Sequence, residues 1–205
     1  MIFLAAWNKL DSQIKTAMPT KTTKAIQTTI TGKRVYLRPL ARSDAAAMIQ
    51  LTNQSARRYP GVVRRLKGRA QFEEFRKRFN GDTAFSFLIC RKEDDEAVGS
   101  ISLFEIIHRS RKSGVVGYLI GAPFFRQGYA TEALQLILRF AFRHLKLHRI
   151  EASIQPHNVA SLALVKRAGF TCEGRARGFL KIAGRWRDHE RWAILAEDWR
   201  GRRRK

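Results

Sequence analysis

The segment from Val115 to Leu145 constrains this chain more than any other. An apolar run, Val115 to Ile120, reads as a strand. Arg126-Gln127-Gly128-Tyr129-Ala130-Thr131 follows, and then apolar residues recur at helical spacing to Leu145. A strand, a short Gly-containing turn and a helix leave free backbone N–H groups at the helix start, where the positive end of the helix dipole points the same way. That arrangement suits a phosphate. Gly128 leaves room for a close ligand because it has no Cβ. The turn lacks the Gly-Lys-Ser/Thr end of a P-loop and the spacing of a dinucleotide-binding GxGxxG.

A second segment adds to the first. Gln155-Pro156-His157-Asn158-Val159-Ala160-Ser161 opens another helical run, which closes at Ala168-Gly169-Phe170. The pair resembles the two acetyl-CoA-binding motifs of the GNAT superfamily of N-acetyltransferases, over roughly Gly32 to Asp198. The first motif resembles the pyrophosphate turn and its helix. The second resembles the strand, Asn-x-x-Ser helix and Gly-Phe ending that flank the pantetheine arm. Gly184-Arg185-Trp186-Arg187-Asp188-His189 looks like the RimJ-type branch, which acetylates the N-terminal alanine of a ribosomal protein. One position departs from the general pattern: Phe125 stands where Gln or Arg precedes the Gly by three residues. We read it as a character of the RimJ-like subgroup.

The resemblance implies a single α/β (α+β) domain over residues 32–198. Its mixed sheet would splay at the cofactor site and be flanked by helices. The order strand, strand, strand, helix, strand, helix, strand agrees with a mixed class and not with regular βα alternation. Residues 1–31 read as a flexible basic extension, rich in Thr and Lys after Lys15, with Met18 as an alternative start. Residues 199–205 read as a basic tail. Helices are expected from Ser43 or Asp44 to about Asn53 and from Arg69 to Phe79, with Phe72, Phe75 and Phe79 on one buried face. The basic connection Arg57 to Arg69 contains Pro60-Gly61. Strands are expected at Val35–Leu37, Ala84–Cys90, Val98–Ile107, Val115–Ile120 and Ile150–Ile154. Three short ones, Phe170–Cys172, Phe179–Ile182 and Arg191–Leu195, complete the set.

A chain of 205 residues is long enough for one buried core. Its net charge of +23, from 40 Lys+Arg against 17 Asp+Glu, favours nucleic acid, ribosomes or an acidic ligand. An arginine-biased proteome would give the same balance. No run approaches the length of a membrane helix. Cys90 and Cys172, the only cysteines, read as reduced, buried thiols of a cytoplasmic protein. No Cys/His cluster has zinc spacing, so no metal is expected.

The implied reaction is attack of a neutral amine on the acetyl thioester. An α-amine of pKa near ~8 is about one-tenth neutral at pH 7, so deprotonation costs only about 1.4 kcal/mol against about 4.6 kcal/mol for a lysine. A weak or water-mediated base is then enough. The resemblance implies an oxyanion donor on a backbone N–H near Leu119 or Ile120. It implies phosphate binding through Arg126, Gln127, Gly128, Tyr129, Ala130 and Thr131, and a pantetheine contact from Asn158, which also reads as a helix cap. Ser161 matches the Ser proposed to protonate the leaving thiolate in RimL-type relatives. A positioning serine is the alternative. Glu105, near the end of a central strand, is the leading base candidate, against a solvated strand-end Glu. The RimL-type base position falls here on Leu180 and does not transfer. His189 is a minor base candidate. Asp188 reads as bonding the backbone turn after Gly184-Arg185. Phe179 and Trp186 line the acceptor groove or pack in the core, and further groove residues are expected in Arg57–Gly68 and His108–Gly114.

The acceptor reading is a protein N-terminus, from an Ala-starting ribosomal protein. A small-molecule amine acetyltransferase of the same fold is the second reading. A non-catalytic ribosome- or RNA-binding protein is the third; it would show exposed aromatics among basic residues, and the sequence reveals no such platform.

Overall fold

The computed structural model describes residues 29–58, 63, 65–81 and 83–202. Readings made for residues 1–28, including Met18, for Pro60, Gly61 and Arg64, and for 203–205 lie outside the described residues. The described strands form one sheet, ordered β1-β2-β4-β5-β6-β7-β9-β8, with β3 paired to β4. The strands are β1 (Ile30–Thr31), β2 (Val35–Pro39), β3 (Asn80–Gly81), β4 (Ala84–Arg91), β5 (Ala97–Ile107), β6 (Ser113–Ile120), β7 (Arg149–Ile154), β8 (Thr171–Ile182) and β9 (Arg185–Leu195). The helices are α1 (Ala45–Arg58), α2 (Arg69–Arg78), α3 (Tyr129–Arg139), α4 (Val159–Ala168) and α5 (Ala196–Arg202). This is the single mixed α/β domain expected from the resemblance.

Every strand pair is antiparallel except β6 with β7. That parallel pairing joins Ser113–Val115 to Arg149–Glu151 and goes no further. Beyond Val115 the two strands diverge, and β6 has no partner on its β7 side among the described residues. β6 is held from the other side by β5, along Gly99↔Ile120 to Phe104↔Val115. Gly99 permits this close approach, because a Cβ there would lie 2.2 Å from the Leu119 carbonyl oxygen.

The core lies between the sheet and its helices. Phe72 and Phe75 of α2 are buried, as is Phe79 after it. Phe87 of β4 meets Phe140 edge-on at 5.4 Å, a geometry worth about 0.5–1.5 kcal/mol beyond area burial. Ala133, Leu134 and Ile137 form the buried stripe of α3, which runs on into a π-helical turn at Phe140–His144.

Local chemistry moves several expected boundaries. Ser43 and Asp44 sit in a 3-10 turn ahead of α1. Asp44 is buried, bonds both Arg38 terminal nitrogens at 2.7 Å and accepts the Ala41 N–H at 2.7 Å. The helix then continues to Arg58, past Asn53, because Thr52 satisfies its hydroxyl on the Met48 carbonyl without leaving the helix. The three short C-terminal strands are instead one long hairpin, β8–β9, and Phe170 precedes it. Nearly all of β8 before Leu180 is exposed or half-exposed, so it carries no alternating pattern to read. Cys90 is buried, but Cys172 is exposed on this edge strand. No described helix is long and apolar enough to cross a membrane.

Candidate functional site

The turn after β6 is built by left-handed backbone at two positions. Gly128 has φ +83° and precedes α3 as its N-cap, with no side chain capping it. The first N–H groups of α3 therefore have no acceptor within the helix. Arg126 also has positive φ, +61°, a conformation uncommon for a residue with a Cβ. Arg126, Gln127 and Gly128 are exposed, Tyr129 is buried, and Ala130 and Thr131 are half-buried.

A residue that the sequence reading passed over completes the turn. Arg34, just before β2, hydrogen-bonds the Gln127 carbonyl and lies 4.7 Å over the Tyr129 ring. Its Nη1 would be the nearest neighbour of a Cβ at position 128, at 3.7 Å. Glu132 of α3 accepts the Arg34 and Val35 N–H groups at 2.8 and 3.3 Å, which fixes this approach. No local motif announces Arg34, since its partners are more than ninety positions away.

The second half of the site is the start of α4. Asn158 is the N-cap, and its Oδ1 accepts the Ser161 N–H at 3.2 Å. Ser161 is 5% exposed. Tyr118 of β6, likewise 5% exposed, stands beside the Ser161 hydroxyl across the opening between β6 and α4. Burial pushes the Tyr118 phenol well above its ordinary value, and Ser161 acts in the opposite sense. The phenol therefore stays protonated, a donor at every physiological pH. Neither Tyr118 Oη nor Gln155 Nε2 makes a hydrogen bond of standard geometry among the described residues, although both atoms are buried. Leaving buried polar atoms unmet is costly. Their place, on the two sides of the opening, fits a ligand with amide and other polar atoms, as the pantetheine arm of coenzyme A has. Leu119 and Ile120 of β6 are buried at the same opening.

The opposite face of the sheet carries a different chemistry. A Cβ on Gly114 would lie 3.5 Å from Leu147, which follows the π-helical turn, and Tyr118 stands beside Ser161, so even positions of β6 face the side of the sheet that carries α4. Val115 and its partner Glu151 face away. There a cavity of about 290 Å³ is lined by Glu105, Arg111, Val115, Glu151, Phe179 and Arg191, among others. Glu105 reaches it through a β-bulge: Phe104↔Val115 and Ile107↔Ser113 leave two residues of β5 opposite one of β6. Glu105 takes φ +51° in that bulge, which re-aims its side chain.

Glu151 is the buried hub of this face. It accepts Arg111 at 3.2 Å, Arg149 at 3.1 Å and also Arg191. Burial pushes its carboxyl up, and the bonds from Arg149 and Arg191 more than offset that, holding it below the usual range. His189 of β9 is 3% exposed, its Nδ1 3.1 Å from the Arg187 carbonyl. Burial lowers its pKa, so it is neutral at pH 7.

The structure thus brings Ser161 and Asn158 together at the start of α4, with Ser161 beside Tyr118, the residue before Leu119 and Ile120 on β6, and the Gly128 turn follows that strand. It places Glu105 on the other face of the sheet. Asp188 bonds strand β8 at its register shift and not the expected turn: it accepts the Gly178 N–H at 2.8 Å and pairs with Arg175. Phe179 lines the cavity, whereas Trp186 is 67% exposed near the hairpin tip between exposed Arg185 and Arg187. That exposed aromatic among cations was not visible in the sequence, because neighbouring residues on a strand give no measure of exposure.

Comparisons with known proteins agree with this architecture. The acetyltransferase (GNAT) domain family matches residues 34–171. YjcK of Bacillus subtilis (strain 168), named a probable N-acetyltransferase, is 35% identical over 175 residues, covering 82% of this chain and 97% of that protein. The [ribosomal protein uS5]-alanine N-acetyltransferase of Escherichia coli (strain K12) is 35% identical over 117 residues, covering 57% of this chain and 60% of that protein. Among solved structures, Mycobacterium smegmatis RimJ in complex with CoA-disulfide superposes with a TM-score of 0.76 at 27% identity, over 84% of this chain and 90% of that one.

Proposed function

This chain belongs to the GNAT acetyltransferase family, and from that premise we propose that it moves the acetyl group of acetyl-CoA to the N-terminal α-amine of a protein, with an Ala-starting ribosomal protein as acceptor. The observation that carries the reading is the opening between β6 and β7. An uncapped, cation-flanked turn lies at the end of β6, and two buried hydroxyls, Tyr118 and Ser161, face each other across the gap. The relative that acts on uS5 and the RimJ neighbour support the acceptor class.

Arg126, Gln127, Gly128, Tyr129, Ala130 and Thr131 receive the pyrophosphate, through backbone N–H groups and the helix dipole, with Arg34 adding charge. Asn158, Gln155 and the open edge of β6 receive the pantetheine amides. A backbone N–H at Leu119 or Ile120 meets the carbonyl oxygen of the acetyl group as negative charge develops on it. The acceptor amine enters from the Glu105 face. Glu105 takes the proton that the ammonium must lose before attack. The amine lone pair then forms the N–C bond, and the C–S bond breaks with its electron pair going to sulfur. The second amine proton, released in that step, balances the proton that sulfur takes up. Ser161 is the donor toward sulfur, and Tyr118, beside it across the opening, positions the serine hydroxyl by contact.

The test incubates the purified chain with acetyl-CoA and Ala- and Ser-starting peptides, the same peptides N-blocked but carrying Lys, and several small amines. Mass spectrometry reads which acceptor gains an acetyl group. Acetylation of free N-termini is expected. Modification of small amines alone would move the protein to a small-molecule acetyltransferase. In the same assay Glu105→Gln is expected to lower the rate at neutral pH at least about 100-fold, with acetyl-CoA affinity unchanged. An unaltered pH–rate profile removes Glu105 as the base.

A further inference from the structure

The cavity beneath β6 and β7 holds charge of both signs in fixed places. Glu105 is the negative pole, aimed in by the bulge. The positive pole is the arginine group around Glu151. Arg111, Arg149 and Arg191 bond that one carboxylate, and Arg149 is shared with Glu173. Three guanidinium groups against two carboxylates leave one positive charge in excess on this wall.

Arg191 is held ready for a further partner. Its guanidinium lies 4.8 Å over the Phe179 ring, and one terminal nitrogen is fixed by Glu151. Its Nε is buried and makes no hydrogen bond among the described residues. Arg111, in the β5–β6 loop, gives Glu151 a single nitrogen and leaves most of its head exposed. A guanidinium immobilised by packing, as that of Arg191 is, loses little freedom on pairing with a carboxylate, whose planar geometry it matches.

We propose that this cavity selects peptide acceptors carrying an acidic residue at the second or third position, whose carboxylate pairs with Arg191 and Arg111 while the α-ammonium sits at Glu105. This rests on the N-terminal acetyltransferase reading and specifies its substrate class. The same wall disfavours polyamines and lysine-rich N-termini, which would bring a second cation against two arginines. Two residues of extended chain span about 7 Å, so the pairing needs only the first residues of the acceptor.

The test uses the full chain, acetyl-CoA and peptides of one length that begin Ala-Ala-Ala, Ala-Glu-Glu or Ala-Lys-Lys, with spermidine alongside. The expected order of kcat/KM is Glu-Glu above Ala-Ala above Lys-Lys. The outer pair should differ about 10- to 100-fold, the range of one to two charge-assisted hydrogen bonds. Raising salt should compress the spread. Arg191→Met should collapse the Glu-Glu to Lys-Lys ratio. Arg111→Gln, at an exposed position that leaves Glu151 two arginines, should halve it or more and covers the case in which Arg191→Met does not fold. Equal rates on all three peptides, or a preference for Lys-Lys, overturns the proposal while leaving N-terminal acetylation standing. Acetylation of spermidine with no peptide modified overturns both.

Discussion

The turn ahead of α3 and the cavity beneath β7 are assembled by opposite routes. A few consecutive residues, Arg126 to Thr131, build most of the turn. The cavity draws its walls from β5, β6, β7, β8 and β9, and its key contacts join residues forty positions apart. A continuous segment carries its geometry with it, because positive φ at Gly128 and a helix start are local properties. The cavity exists only once register is set. A slip of one residue in β7 would turn Glu151 to the other face. The two regions therefore ought to fail differently.

Gly128→Trp should give the largest effect. Its φ of +83° costs a side-chain-bearing residue roughly 1–2 kcal/mol, and the ring would cover the N–H groups proposed to meet phosphate. Acetyl-CoA affinity, read by calorimetry, should fall at least ~100-fold, with only a few degrees lost in the thermal midpoint. Unchanged affinity would put the phosphates elsewhere and erase the contrast between a self-contained turn and an assembled cavity.

Tyr118→Phe and Ser161→Ala sharpen the comparison at the boundary between the regions. Each is expected to lower kcat about 10-fold with little change in KM for acetyl-CoA. Made together, they should cost scarcely more than either alone, since the tyrosine acts through the serine. Fully multiplicative losses would separate the two hydroxyls. The tyrosine gave no signal in the sequence: an aromatic on a central strand reads as core, and only the fold shows that its hydroxyl meets no standard partner.

His189 gives the smallest effect, and it belongs to the cavity side. Burial lowers its folded-state value below the ordinary 6.5. As pH falls through about 6.5 the unfolded chain takes up a proton that the folded chain refuses. The stability linked to His189 is therefore full above that pH and lost below it, by at most about 1.4 kcal/mol per pH unit. Urea unfolding at pH 7.5 and 5.5 should show the decline, and His189→Gln should flatten it. An equal slope in both proteins would mean that the ring is protonated in the fold.

What could be read in advance follows the same division. The α3 and α4 segments, the Gly128 turn and the Asn158 cap announced themselves through spacing. The β8–β9 hairpin did not, because Thr171 to Phe179 is exposed or half-exposed and interrupted by Gly174 and Gly178 at positive φ. Nor did Glu151. In Arg-Ile-Glu-Ala-Ser-Ile a glutamate reads as a solvated strand residue, and Arg111 and Arg191 become its partners only through the parallel pairing and the β7–β9 register. Arg34 was hidden for the same reason.

The bulge at Glu105 sets stability against the base role proposed for its carboxylate. Glu105 holds a left-handed backbone that glycine or asparagine would adopt at lower cost. Random substitution screened for thermal tolerance alone should therefore drift toward small or amide residues at this position and discard the carboxylate. If Glu105 is the base, selection for turnover must restore it in every generation, and the chain keeps a strained residue that its own folding would gladly lose.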